Sequence, residues 1–374
     1  MLLFFISSGL FLGWALGAND AANVFGTAVG TRMIRFRYAA VISGLFVIFG
    51  AVVQGSGTTE TLTNLGNVNA LAGSFTVALA TALTVFFMTR YAIPVSTSQA
   101  IIGGIVGWNF YTGVQTNYDS LIRIVLTWVA SPILGAIFAI ILFLLLRNTI
   151  NRVRIHILNL NAGIRIALIL VGAFGAFSLG ANNIANVMGV FVPAVDLDQV
   201  HLLGYSFSSE QQLFFLGGLA IAFGIFTYSK RIMERVGNHI FRLSAEAAIV
   251  VVLAHALVLF VFSSKSLQQA IVGLGLPAIP LVPVSSSQAI VGAVMGIGIL
   301  KGARGLNFKV LGQIGLGWII TPIVTAIIAF FALFFVNNVF EQKVSQSEAT
   351  ESLSVKNLNI ENPSQTKYII CPKK

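Results

Sequence analysis

Eight separate stretches of mainly apolar residues, near 2–18, 38–56, 71–92, 121–146, 164–181, 211–229, 244–262 and 310–336, leave this chain little choice of fold. A hydrocarbon core about 30 Å thick is crossed by roughly 20 apolar residues in a helix, and within it every backbone polar group must be satisfied inside the protein. Only 9% of the 374 residues are charged and 56% are apolar, whereas soluble domains carry about 25% charged residues. The formal net charge of +10 would point to nucleic acid in a soluble protein, but here the charges are few. Of 22 Lys and Arg and 12 Asp and Glu, nine follow Phe340. The rest are too sparse to solvate a water-exposed surface. The chain therefore reads as an all-α polytopic membrane protein whose partner is the lipid bilayer, with no role for nucleic acid. The single cysteine, Cys371, excludes a disulfide framework and any Cys-based metal site. Residues 1–18 lack a charged leader and a small-residue cleavage site, so they are expected to be a retained first membrane segment.

The chain repeats itself. GANDAANVFG at 17–26 recurs as GANNIANVMG at 180–189, PVSTSQAIIGGIVG at 94–107 as PVSSSQAIVGAVMG at 283–296, and WVASPILGAI at 128–137 as WIITPIVTAI at 318–327. Three matches in one order imply a duplicated unit. Between the long apolar stretches lie two shorter ones, 93–110 and 270–300, punctuated by Gly and Pro, which make poor uniform helices. Lys and Arg accumulate in cytoplasmic loops. Arg32, Arg35 and Arg37 follow the first motif, while the matching PAVDLDQV has two Asp and no basic residue. The 57–70 loop has none, whereas its counterpart holds Lys230, Arg231, Arg235 and Arg242. The copies are thus expected to be inverted, with five net crossings each, interrupted helices or re-entrant hairpins at the motifs, and both termini outside. Placing the loops at 31–37, around Arg90, 147–165, 230–242 and 301–309 inside leaves only Arg123 and Lys265 on the other face before the tail. The expected organisation is a first transmembrane repeat at 1–146 and a cytoplasmic basic linker at 147–163. A second, inverted repeat at 164–336 and a polar, disordered tail at 337–374 complete it.

Gly17, Asn19, Asp20, Asn23 and Gly26, with Gly180, Asn182, Asn183, Asn186 and Gly189, place polar side chains and glycines inside apolar runs. Such stretches are expected to be unwound or at helix ends, lining a cavity. One copy could merely glue helices together; two at matching positions argue against that. In the PVS motifs Pro suits the entry to a helix and the hydroxyls suit capping. A helix N-terminus in the membrane offers free N–H groups and partial positive charge, which together make an anion site. Ser96, Thr97, Ser98 and Gln99, with Ser285, Ser286, Ser287 and Gln288, could surround a tetrahedral oxyanion with neutral donors. Asp20, a costly carboxylate in the membrane, is the first choice for the coupling-ion site, with Na+ or a proton as the rider. Glu246 is read as an interfacial residue paired with Arg242 or functional with equal weight. His255 is read as a core histidine outside the site. No nucleophile–base arrangement, Walker loop or zinc spacing is present, so neither an enzyme nor ATP-driven transport is expected, and no cofactor beyond the coupling ion. Inverted repeats with interrupted helices point to a secondary transporter with its site at the repeat interface.

The paired GANDAAN/GANNIAN and PVSTSQ/PVSSSQ elements resemble the duplicated signatures of the inorganic phosphate transporter (PiT) family, over residues 1 to about 336. The resemblance implies Na+- or H+-coupled phosphate symport across the plasma (inner) membrane and a possible homodimer. Carried over by position, it puts Asn19, Asp20, Asn23, Asn182, Asn186 and the two Ser/Thr/Gln groups in the substrate and ion region; the coupling ion is expected at Asp20 and Asn183. Asn183 stands where the family usually has Asp, and the family's Glu in the second segment is replaced around Val47. Ion stoichiometry and the choice of coupling ion stay open for that reason. The family also contains sulfate permeases. Phosphate retains a proton that can be donated to Asp20, and sulfate does not, which favours phosphate; Asn183 suits either anion. The alternative of another class is an intramembrane enzyme or scaffold without transport activity.

Overall fold

The computed structural model describes residues 1–91, 95–152, 157–202, 204–236, 244–302 and 307–346. Pro94, Arg242 and Cys371 lie outside the described residues. The first half comprises α1 (Leu2–Gly30), α2 (Phe36–Gln54), α3 (Ser56–Leu65), α4 (Leu71–Arg90), α5 (Thr97–Thr112) and α6 (Tyr118–Arg152). The second comprises α7 (Ile157–Met188), a 3-10 turn (Gly189–Ala194), α8 (Ser209–Thr227), α9 (Ser229–Val236) and α10 (Ala245–Ser263). It continues through α11 (Lys265–Gly273), α12 (Ser286–Leu300) and α13 (Phe308–Asn338). Among the described residues eight helices are long and apolar enough to cross a membrane, and they coincide with the eight apolar stretches. Helices α6 and α13 leave Leu126, Ile133, Leu145, Ile319 and Phe331 more than half exposed. A water-soluble surface rarely carries so continuous an apolar face.

The short apolar stretches become helices α5 and α12, each entered from extended backbone and each begun by a serine. Ser96 and Ser285 accept the N–H of Gln99 and Gln288, satisfying one of the first-turn donors that has no intrahelical carbonyl. Helix α5 stops at Gly113, whose φ of 76° is the left-handed conformation that glycine adopts without a Cβ penalty.

The two halves are interlocked rather than side by side. Helix α1 packs on α8 and α7 on α2; α5 packs on α13 and α12 on α6. Exchanging the halves maps each of these pairs onto the other. Glycines make the contacts close. A Cβ on Gly17 would run into the Ile221 carbonyl, and one on Gly180 into that of Val47. Likewise Gly103 lies on the Pro322 carbonyl and Gly292 on that of Pro132. Gly107 on Ala326 and Gly296 on Ala136 continue the same seams one turn on. Small residues four apart let backbones approach without a Cβ between them, which is how helices gain packing energy where lipid removes the hydrophobic drive.

Three expectations need correction. Residues 17–26 are not unwound: α1 runs unbroken to Gly30, while in the second half the helix does end within the motif, at Met188. The motif glycines serve helix contacts rather than helix breaks, and the polar side chains find partners across the interface, so the backbone keeps its ladder. The loop after α2 contains α3, and residues 200–207 form a two-stranded antiparallel hairpin, β1 (Val200–Leu202) with β2 (Tyr205–Phe207). The start of the polar tail is docked. Trp108 Nε1 donates to the Val344 carbonyl at 2.9 Å, and the Asn69 amide exchanges two hydrogen bonds with the Gln346 backbone at 2.9 and 3.2 Å. Val344 is buried as an apolar anchor. Residues 347–374 lie outside the described part.

Candidate substrate site

The N-termini of α5 and α12 meet. Ser96 Oγ donates to Ser285 Oγ at 2.8 Å, joining the two cap residues directly, and both are almost fully buried. Ser285 Oγ also shares a hydrogen bond with Ser287 Oγ at 3.0 Å. Two helix dipoles thereby bring their positive ends to one place in the apolar core. Around them stand Thr97, Ser98, Gln99, Ser286 and Gln288, all buried, and Ser287, partly buried. The side-chain oxygens of Thr97, Gln99 and Gln288 are buried with no partner among the described residues.

The GAN motifs hold the PVS motifs in position. Asn182 clamps the extended chain ahead of α12: its Nδ2 donates to the Val284 carbonyl at 2.8 Å and its Oδ1 accepts the Val284 N–H at 3.0 Å. Ser98 Oγ donates to the same carbonyl at 3.1 Å. Asn186 Nδ2 donates to Ser98 Oγ at 2.8 Å, and Asn23 Nδ2 to Ser286 Oγ at 2.9 Å. Asn186 and Asn23 thus each reach the PVS element of the opposite half, one in each direction.

Asp20 sits between the two motifs, 4% exposed. Its Oδ1 accepts from Asn19 Nδ2 at 2.8 Å and its Oδ2 from Asn183 Nδ2 at 3.3 Å. The Asn183 Oδ1 in turn accepts from Asn182 Nδ2 at 2.8 Å and Asn186 Nδ2 at 3.1 Å. Among the described residues no three His, Cys, Asp or Glu side chains cluster. The groups facing Asp20 are amide N–H donors, and its carboxylate oxygens are hard ligands that suit an alkali or alkaline-earth cation rather than a transition metal. All fourteen residues singled out from the sequence for substrate or ion lie in, or next in the chain to, these hydrogen-bonded groups. Two members were not expected. Thr58 Oγ1 donates to the Asn182 carbonyl at 3.4 Å, and His255, buried completely, hydrogen-bonds Ser286 Oγ through Nε2 at 2.9 Å. For His255 the signal was available: LATALT around Thr81 matches LAHALV around His255, so an imidazole replaces a threonine at an equivalent position. Glu246 begins α10 and takes no part in this network.

Duplicated, interlocked halves, buried polar side chains at their junction and eight apolar helices define a multi-pass integral membrane protein of the transporter class. The model of the phosphate transporter family matches residues 16–160, 151–329 and 267–370. This chain belongs to that family. A protein of Pyrococcus horikoshii named "Putative phosphate permease" is 29% identical over 86% of this chain and 94% of its own length. One of the same name from Methanocaldococcus jannaschii is 29% identical over 86% and 93%. A solved structure, "The sodium-dependent phosphate transporter", shares the fold, with a TM-score of 0.71 at 22% identity over 90% of this chain and 98% of that one.

Proposed function

We propose that the chain is a secondary transporter that carries inorganic phosphate across the membrane together with Na+, binding the anion where α5 and α12 meet. The observation that carries this reading is the 2.8 Å hydrogen bond between the caps Ser96 and Ser285. Helix N-termini repel each other unless negative charge lies between them, and each supplies N–H groups that an oxyanion accepts from without any Lys or Arg. The hydroxyls of Thr97, Ser286 and Ser287 and the amides of Asn23, Gln99 and Gln288 extend the donor set, while Ser98 and Asn186, whose protons go to Val284, Ser98 and Asn183, hold the frame. Asp20 would hold the cation, assisted by Asn19 and Asn183. A protonated phosphate oxygen can also donate to Asp20, an interaction that sulfate cannot make. Family membership and the names of the permeases support phosphate; the sodium dependence named for the structural neighbour supports Na+ over H+.

Transport needs a site that both faces can reach in turn. Two halves whose motif asparagines hold each other's half-helices are suited to rocking about that junction, and the charge pattern of the loops supports an inverted arrangement with both termini outside. The test is uptake of labelled phosphate into proteoliposomes of the purified chain, with and without an inward Na+ gradient and with a proton gradient alone. Uptake driven by Na+ and insensitive to excess sulfate is expected. Uptake driven only by protons would move the coupling to H+, and labelled-phosphate uptake that excess sulfate suppresses and excess unlabelled phosphate does not would overturn the substrate.

A further inference from the structure

We propose that His255 is a positioning residue of this site: its Nε2–H holds Ser286 Oγ so that the Ser286 hydroxyl proton is directed at the bound anion. The inference rests on the phosphate reading above and adds to it the residue that makes one donor available. A serine hydroxyl has one proton and two lone pairs. Asn23 Nδ2 occupies one lone pair of Ser286 at 2.9 Å, and His255 Nε2 lies 2.9 Å away on the same oxygen. If Nε2 accepts, the serine spends its only proton on the imidazole and turns a lone pair toward the anion, which repels it. If Nε2 donates, both lone pairs are filled and the proton is left for the ligand.

The other ring nitrogen decides between these. His255 is completely buried and its Nδ1 has no hydrogen-bond partner among the described residues. The tautomer that accepts at Nε2 would bury an orphaned N–H at Nδ1, a state that is rarer in proteins than an orphaned acceptor. Nε2–H is therefore the tautomer the surroundings select, and it is also the one the anion requires. Ser286 opens α12 immediately after its cap, so its hydroxyl stands beside the free N–H groups of the first turn. The first half has no such device. Thr97, at the position of Ser286, has a buried hydroxyl without a partner among the described residues, and Thr81, at the position of His255, bonds back to the Val77 carbonyl at 2.8 Å. The two halves are thereby unequal: Ser286 is oriented before the anion arrives, and Thr97 is free to turn.

The experiment compares His255→Leu, His255→Asn, His255→Gln, Ser286→Ala and the Leu/Ala double variant in the full chain. Inorganic phosphate is titrated against thermal stability of the detergent-purified protein, and KM and Vmax are measured in proteoliposomes. His255→Leu and His255→Asn, whose amide is too short to reach Ser286, are expected to raise Kd and KM for phosphate about tenfold with Vmax within about twofold. His255→Gln, whose Nε2 can still donate, restores most of the affinity. Ser286→Ala produces the same loss, and adding His255→Leu to it costs nothing more, the mark of two residues acting through one contact. Unchanged affinity in both loss variants, failure of glutamine to rescue, or additive losses would overturn the positioning role while leaving the phosphate site standing. Should the leucine variant not fold, the asparagine and glutamine pair decides alone. A wild-type chain that phosphate does not stabilise would refute the site itself, and this inference with it.

Discussion

Asp20 and Asn183 face each other at 3.3 Å, a carboxylate oxygen against an amide donor. With aspartate at both places, two negative charges would share that gap and would need a cation or proton between them. The Asn183 N–H fills that role with a neutral group. Asn183→Asp is accordingly expected to make phosphate uptake depend more steeply on cation concentration. Asp20→Asn is expected to lower cation-driven uptake at least tenfold while leaving phosphate-dependent stabilisation within about threefold. Initial rates measured across a series of Na+ concentrations check both, and an Asp20→Asn protein with full coupled uptake would remove Asp20 from the ion site. At this scale the sequence was legible where a residue type is expensive in lipid: a carboxylate and a run of asparagines have few reasons to be there. For His255 the match of LAHALV to LATALT marks a difference between the halves, but its meaning comes only from what stands opposite it. That neighbour, Ser286, is 31 residues away in the chain.

Helices α5 and α12 owe their starts to serine caps, and their seats to glycine. Gly103 and Gly292 lie against the backbone carbonyls of Pro322 and Pro132, so a side chain there must force the two helices apart. Gly292→Leu is expected to cost about 1–3 kcal/mol of stability through overpacking and to weaken phosphate affinity, because α12 carries Ser286 and Gln288 on its first turn. Thermal unfolding of the purified variant, with and without phosphate, reads both effects; wild-type stability would show that the seam can open without loss. The positions of the apolar helices, though not their full lengths, the Ser caps and the repeat of the PVS elements were readable from the sequence, since capping and hydrophobicity are local. The continuity of α1 through Asn19, Asp20 and Asn23 was not. Polar residues in an apolar run predict a break only if their partners are water, and here the partners are Asn183 and Ser286 from distant segments. The docking of Val344 beneath Trp108 was hidden for the same reason, being a contact between residues 236 positions apart.

The whole molecule packs α1 on α8 as it packs α7 on α2, and α5 on α13 as it packs α12 on α6, and the inverted arrangement can be checked by single cysteines introduced after Cys371→Ser. Gln115 and Leu276 follow α5 and α11, and Thr31 and Lys309 follow α1 and precede the bulk of α13; Gln115, Leu276, Thr31 and Lys309 are all exposed. Gln115→Cys and Leu276→Cys are expected to react with an impermeant thiol reagent added outside intact cells. Thr31→Cys and Lys309→Cys are expected to react only after permeabilisation. Labelling of Gln115→Cys and Thr31→Cys from the same face would refute the five-crossing half, and with it the inversion. The sequence by itself determined the solvent, the number of long helices, the duplication and the polar motifs that gather where the halves meet. Each of these follows from local composition, from hydrogen bonds within a segment or from similarity between segments. Only the tertiary structure decided that α1 stays helical, that the two half-helix starts touch, that the glycines are contact surfaces and that His255 stands against Ser286. Those outcomes depend on which polar groups meet across the interface, and a buried polar group's cost or worth is set by its partner rather than by its neighbours in the chain.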